Sequence, residues 1–132
     1  MLAKAESLKL TIALENVFDQ TPEMLSRLLT HFSSPYFGHC LDIGHYNLFI
    51  KYDLKQWLDD LGPYLKEVHL HDNHGQGDEH LAPGEGQIDF PFLFDQLAKR
   101  KLSPALVIET HSQEQVLLGV ERVNHFLNEA KQ

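Results

Sequence analysis

Basic residues are scarce in this chain: 11 Lys and Arg stand against 19 Asp and Glu, giving a formal charge of -8. Nucleic-acid affinity comes largely from Lys and Arg displacing counterions, so this balance argues against a surface built to hold a phosphate backbone. Only Lys99, Arg100 and Lys101 cluster. Cysteine is nearly absent. The one thiol, Cys40, excludes an intramolecular disulfide and fits a reducing compartment; the cytoplasm is the expected setting, and a small buried hydrophobe the expected role. Long apolar runs are missing too: no h-region follows Met1, and nothing approaches the roughly 20 residues that span a bilayer. A membrane is therefore not an expected partner. At 132 residues the chain has room for one domain with a real core, expected over 1–132, and two would be hard to fit.

Histidine and glycine are concentrated instead. The stretch EVHLHDNHGQGDEHLAPGEGQIDF, residues 67 to 90, holds four of the nine histidines and four of the eight glycines. It reads as a strand ending in metal-ligand residues and opening into a Gly-rich loop; a solvated polar loop is the simpler alternative. The rest of the chain repeats one pattern in kind. The β-rich run LTIALE precedes Thr21-Pro22-Glu23, where Thr21 suits an N-cap and Pro22 a first helical turn. FGHCLDIGH leads to Asp53, a cap for LKQWLDDL before Gly62-Pro63 stops that helix. After EVHLHD and its loop, Asp89 caps FPFLFDQLAKRK, which ends near Ser103-Pro104. ALVIE follows, then Ser112 and Gln115 as a capping box, with Val116, Leu117, Val120, Val123 and Leu127 at helical spacing.

Four βα units predict an α/β fold with parallel strands, because each connection is long enough to hold a helix. A small doubly wound sheet satisfies this pattern, and so does half of an eight-stranded barrel. The order of strands in the sheet is not readable from the pattern. The strand ends carry chemistry: Glu15, Asp42, His69 with His71, and Glu109. In parallel α/β folds these ends form the working face, so three carboxylates and an imidazole are expected to meet, a donor set suited to Mn²⁺, Mg²⁺, Co²⁺ or Zn²⁺. His45, Asp78 and His80 form a second candidate group, for zinc or for substrate hydroxyls. Of the remaining histidines, only His111, two residues past Glu109, is expected near the site.

The motifs ALEN (13 to 16), LDIGH (41 to 45), VHLHDN (68 to 73), DEHLAPGEGQIDF (78 to 90) and VIET (107 to 110) resemble the xylose-isomerase-like TIM barrels, which include sugar phosphate isomerases and epimerases and the endonuclease IV type of repair enzyme. The resemblance covers nearly the whole chain but only the second half of such a barrel. It implies that Glu15, Asp42, His69 and Glu109 bind one divalent metal, and that Glu15 and Glu109 are the acid/base pair of an isomerase or epimerase acting on a sugar or sugar phosphate. In such enzymes the metal holds the substrate's carbonyl and adjacent hydroxyl while the glutamates move a proton at the carbon between them. His45, with Asp78 and His80, corresponds to a further zinc in the endonucleases and His45 to a substrate contact in the epimerases; His71 and His111 are expected to line the substrate space. Half a barrel would expose an apolar inner face and two strand edges, so a homodimer or higher homo-oligomer is expected, a fragment of a longer enzyme being the alternative. Two readings compete with the epimerase: cleavage of abasic DNA, which the charge opposes, and a non-catalytic metal-binding module.

Overall fold

The computed structural model describes residues 1–130, so the last two residues of the domain expected over 1–132 lie outside the described residues. A short helix α1 (Leu2–Leu8) leads into β1 (Ile12–Glu15), α2 (Glu23–Phe32), β2 (Phe37–Asp42), α3 (Ile43–Phe49) and α4 (Leu54–Leu61). A 3₁₀ turn at Gly62–Tyr64 then opens β3 (Leu65–Leu70), followed by α5 (Phe90–Lys99), β4 (Ala105–Ile108) and α6 (Gln113–Glu129). All three strand pairings are parallel, and the order in the sheet is β1-β2-β3-β4. That order decides between the two α/β alternatives. A doubly wound sheet reverses direction at a switch point and carries helices on both faces. Here each strand adds to the same side of the last, and α2, α4, α5 and α6 pack beside one another in a row. The result is four consecutive βα units of a (β/α)₈ barrel, as half of the ring.

The core lies between the helices and one face of the sheet. Leu41, Val68 and Leu70 are fully buried there against Trp57, Leu58, Leu61, Phe90, Leu93, Phe94 and Leu97. Each such side chain contributes about 1.5–3 kcal/mol by leaving water. Trp57 Nε1–H donates to His39 Nε2 at 3.2 Å, and His39 Nδ1–H donates to the Leu14 carbonyl at 3.0 Å, so one buried imidazole ties α4, β2 and β1 together. Desolvation pushes that ring's pKa down to about 4.

The sheet face turned away from the helices differs from the apolar surface expected. Thr11, Ala13, Lys66, Glu67 and Ala105 line an open hollow there. Val107, the ladder partner of His69, is exposed on this face, and other exposed large hydrophobes lie along the two flanks: Leu10, Met24, Leu28 and Phe32 on the β1 side, and Val116, Leu117 and Val120 on the β4 side. The helical pattern expected in α6 is therefore split, with Val123 buried and Val116, Leu117 and Val120 exposed, because among the described residues α6 has a helix neighbour, α5, on one flank only. The caps at Asp53, Asp89 and Ser112 form as expected. Thr21 does not cap α2; Pro22 occupies that position with φ -74° and no side-chain bond. No helix among the described residues is long and apolar enough to cross a membrane.

Candidate metal centre

Strand register brings the predicted ligands to one point. Asp42 lies opposite His69, Glu15 lies two pairs lower beside Cys40, and the N–H of Glu109 donates to the Leu70 carbonyl just past β4. His69 Nδ1 is 3.1 Å from Glu109 Oε2 and 3.7 Å from both Glu15 Oε2 and Asp42 Oδ2. This nitrogen is buried and has no hydrogen-bond partner among the described residues. Donor atoms of Glu15, Asp42 and His69 all lie within 4.8 Å of one another. Two ligands of one ion, each at about 2.0–2.3 Å, stand no more than about 4.5 Å apart, so the cluster has the size of a coordination sphere and needs only small adjustment to become one.

The electrostatics point the same way. Three carboxylates face one imidazole nitrogen, and their mutual repulsion falls only if a positive charge sits among them. The approach of the Asp42 carboxylate, then the Cys40 thiol, drives the His69 ring up to about 11 against its partial burial, a measure of how strongly the cluster attracts positive charge. Burial works to raise Asp42, yet the nearby His69 ring, the bond from His71 and the His45 N–H outweigh it and hold this carboxyl well below the usual range. The residues fit a divalent cation: the site gathers hard oxygen donors and one borderline nitrogen and draws positive charge to their focus.

Asp42 is held from several sides. Asn16 Nδ2–H donates to its carbonyl at 2.9 Å and Asn16 Oδ1 accepts its N–H at 3.0 Å, both groups buried. Its Oδ1 accepts the His45 N–H at 2.7 Å, capping α3, a helix not anticipated from the sequence. The Asp-x-x-His spacing is thus one helical turn, which turns His45 toward the same site: Nδ1 is 3.1 Å from Glu15 Oε1 and Nε2 is 3.3 Å from Asp78 Oδ2. His80, in the left-handed region at φ 52°, donates Nδ1–H to the Glu109 carbonyl at 2.9 Å and presents Nε2 to the same Asp78 oxygen at 3.2 Å. His45, Asp78 and His80 therefore meet, as the spacing anticipated. Burial pulls the His45 pKa down, but the charges of Asp42 and Asp78 leave it raised overall.

His71 and His111 were expected to line the substrate space, and only His111 is exposed. The His71 ring is fully buried, 3.0 Å from Asp42 Oδ1 through Nε2, and covered by His80 at a centroid distance of 4.0 Å and 4°. His111 stacks on the other side of His80 at 4.4 Å. His71 is thus a buried neighbour of Asp42, because the ring packs down over Gly44, where an added Cβ would lie 2.0 Å from it.

The Gly-rich loop serves a residue that sequence reasoning passed over. Asp72 is fully buried and its carboxylate accepts four backbone N–H groups, from Asn73 (2.8 Å), Gly84 (2.9 Å), Gly86 (2.9 Å) and Ile88 (3.1 Å). A Cβ on Gly86 would come within 2.4 Å of Asp72 Oδ1 and 2.5 Å of the Asn73 carbonyl oxygen, which is why glycine stands there. Gln115, the far end of the expected capping box, does not reach back to Ser112; its Oε1 accepts the Ala82 N–H at 2.6 Å and so pins the same loop to α6. A buried Asp directly before a loop of spaced glycines is the one signal that would have found this arrangement.

Four sequential parallel βα units whose C-terminal strand ends collect carboxylates and histidines define one working half of a (β/α)₈ barrel. The family model for xylose isomerase-like TIM barrels matches residues 1–129, and the chain belongs to that family. An uncharacterized protein of Methanocaldococcus jannaschii, MJ1311, is 31% identical over 130 residues, covering 93% of this chain and 44% of its own length. A D-tagatose 3-epimerase-like protein superposes with a TM-score of 0.85 at 27% identity, over 98% of this chain and 53% of its own. A Thermus thermophilus protein soaked with ZnCl2 gives 0.78 at 25% identity, over 97% and 49%. The chain thus spans about half the length of the proteins it matches. Its fold is that of sugar isomerases and epimerases.

Proposed function

We propose that this half-barrel holds one divalent cation on Glu15, Asp42, His69 and Glu109 and carries the isomerase or epimerase chemistry of a sugar or sugar phosphate, in an assembly that completes the ring and in the reducing cytoplasm that suits its single thiol. The observation that carries the reading is the His69 Nδ1: a buried ring nitrogen without a partner, with three carboxylates 3.1 to 3.7 Å away. A bound cation would supply Lewis acidity, offsetting the negative charge that develops beside a carbonyl when a neighbouring proton leaves. Glu15 and Glu109 come from β1 and from the end of β4, the first and last strands of the row, so they approach a substrate from different sides. One takes the proton and the other returns it, each contributing about 10²- to 10⁴-fold. Asp42 is held by Asn16, His71 and the α3 N-terminus, and serves as a fixed ligand without a proton-transfer role.

Substituting Glu15→Gln or Glu109→Gln tests the proton step: the wild-type protein should exchange substrate hydrogen for solvent deuterium with a responsive ketose or its phosphate, and each variant should lose that exchange. Wild-type exchange in both variants would rule out the glutamate pair.

A second reading, cleavage at abasic DNA, is favoured by one observation. His45 and His80 both present Nε2 to Asp78 Oδ2, at 3.3 and 3.2 Å, as the ligands of an additional zinc would. Incubation with an abasic oligonucleotide separates the two, and inactivity on ketoses and DNA alike favours the non-catalytic module. Closure of the barrel by a second copy remains part of the proposal, supported by the unpaired edges of β1 and β4 and the apolar flanks beside them.

A further inference from the structure

The His69 imidazole has two ends, and the cation accounts for only one. Period-two alternation along β3 puts Glu67 and His69 on the same face, one pleat repeat apart. Their ladder partners on β2 are Cys40 and Asp42, with an irregularity in register between His39 and Cys40 that sets this phase. Glu67 Oε1 lies 2.9 Å from His69 Nε2. The Cys40 thiol flanks the same side of the ring, its sulfur within 4.8 Å of donor atoms of Glu67 and His69. Nε2 therefore bears the hydrogen that Glu67 accepts, and the lone pair is left on Nδ1, the atom that faces Glu15, Asp42 and Glu109 without a partner.

We infer that Glu67 is a positioning residue for the cation site: by accepting the Nε2–H of His69 it fixes the ring's tautomer and rotation, so that Nδ1 is the coordinating atom. A carboxylate behind a ligating histidine also makes the imidazole a stronger donor, and such partners are worth about 10- to 100-fold in metal affinity. Glu67 was not among the residues singled out from the sequence, and it takes no part in proton transfer. This inference rests on the cation reading above.

The test is zinc affinity of the full chain, measured by competition with a chromophoric chelator, for wild type, Glu67→Gln and Glu67→Ala. Glu67→Gln keeps the shape and an acceptor oxygen but loses the charge, and should bind about 10-fold more weakly; Glu67→Ala should approach the 100-fold end of the range. Nitrogen-15 correlation spectra of the zinc-loaded wild type should show a slowly exchanging His69 Nε2–H, which Glu67→Ala loses. A merely structural role would change melting temperature without moving that signal or the affinity of Glu67→Gln, the isosteric variant on which the comparison relies if Glu67→Ala folds poorly. Unchanged affinity in Glu67→Gln together with an unchanged ring N–H overturns the inference alone. A thiolate charge-transfer band on loading with Co²⁺ also overturns it, since Cys40 and Nε2 would then be facing the ion. A wild-type chain that takes up no cation overturns the metal centre and the positioning role together.

Discussion

Acidification should loosen the sheet through one buried ring, His39. Its Nε2 accepts from Trp57 and its Nδ1–H donates to the Leu14 carbonyl, so both nitrogens are satisfied only when the ring is neutral. A second proton would set an N–H against the Trp57 N–H in a position that is 1% exposed. Desolvation accordingly lowers the pKa from 6.5 to about 4. The unfolded chain binds the proton more readily, so this contribution is intact above pH 6.5 and is lost as pH falls toward 4. At about 1.4 kcal/mol per unit, the full loss is about 3 kcal/mol, with about 2 kcal/mol gone by pH 5. Urea unfolding at intervals from pH 7 to 4, for wild type and His39→Gln, isolates the term. Glutamine offers an acceptor to Trp57 and a donor to Leu14 but does not titrate, so its stability should fall less steeply by that amount. Parallel curves for the two proteins would refute the reasoning. So would a flatter wild-type curve.

Asp42→Asn and Glu109→Gln should each abolish tight cation uptake in a metal-content assay, because both keep shape and delete ligand charge; full occupancy in both variants would mean the site is misassigned. Gly86→Ala should cost about 1–3 kcal/mol by overpacking against Asp72 and the Asn73 carbonyl, read as a lowered urea midpoint, and an unchanged midpoint would show that the loop is not packed as described. Sedimentation at micromolar concentration should find an assembly; a monodisperse species near 15 kDa that binds no apolar dye would show that the chain covers its own edges.

Much of this was legible before any coordinates. The strand ends could be read because apolar runs stop at residues of one chemical kind, Glu15, Asp42, His69 and Glu109, and parallel strands force such ends to the same side. The helices after Asp53, Asp89 and Ser112 could be read because their caps are local, written within three residues. Sheet order could not, since it depends on which face the helices share. Helix α3 was hidden because Asp42 serves both as strand end and as cap, and its seven residues are too short to show a period. His71 was misjudged as lining because alternation gives the side of the sheet and not the depth, and depth here is set by Gly44 beneath the ring and His80 above it. Glu67 and Asp72 escaped notice for the opposite reason to the ligands: their work is done through a neighbour's nitrogen or through backbone N–H groups, which leaves Glu67 unmarked and Asp72 marked only by the spaced glycines after it.

The Asp72 cradle divides the long loop into a frame and a tip. Residues 73, 84, 86 and 88 are held by one carboxylate through main-chain atoms, which any side chain could supply where sterics permit, while residues 74 to 79 project between them with no bond to that carboxylate. The tip carries Asp78, so its composition sets what meets the mouth of the site, while the Asp72 carboxylate holds the main chain where the loop leaves β3 and enters α5. For anyone wishing to redirect this protein to another substrate, segment 74 to 79 is the stretch to vary, with Gly75 kept, because its φ of 75° and its N–H bond to Asn73 Oδ1 join it to the frame.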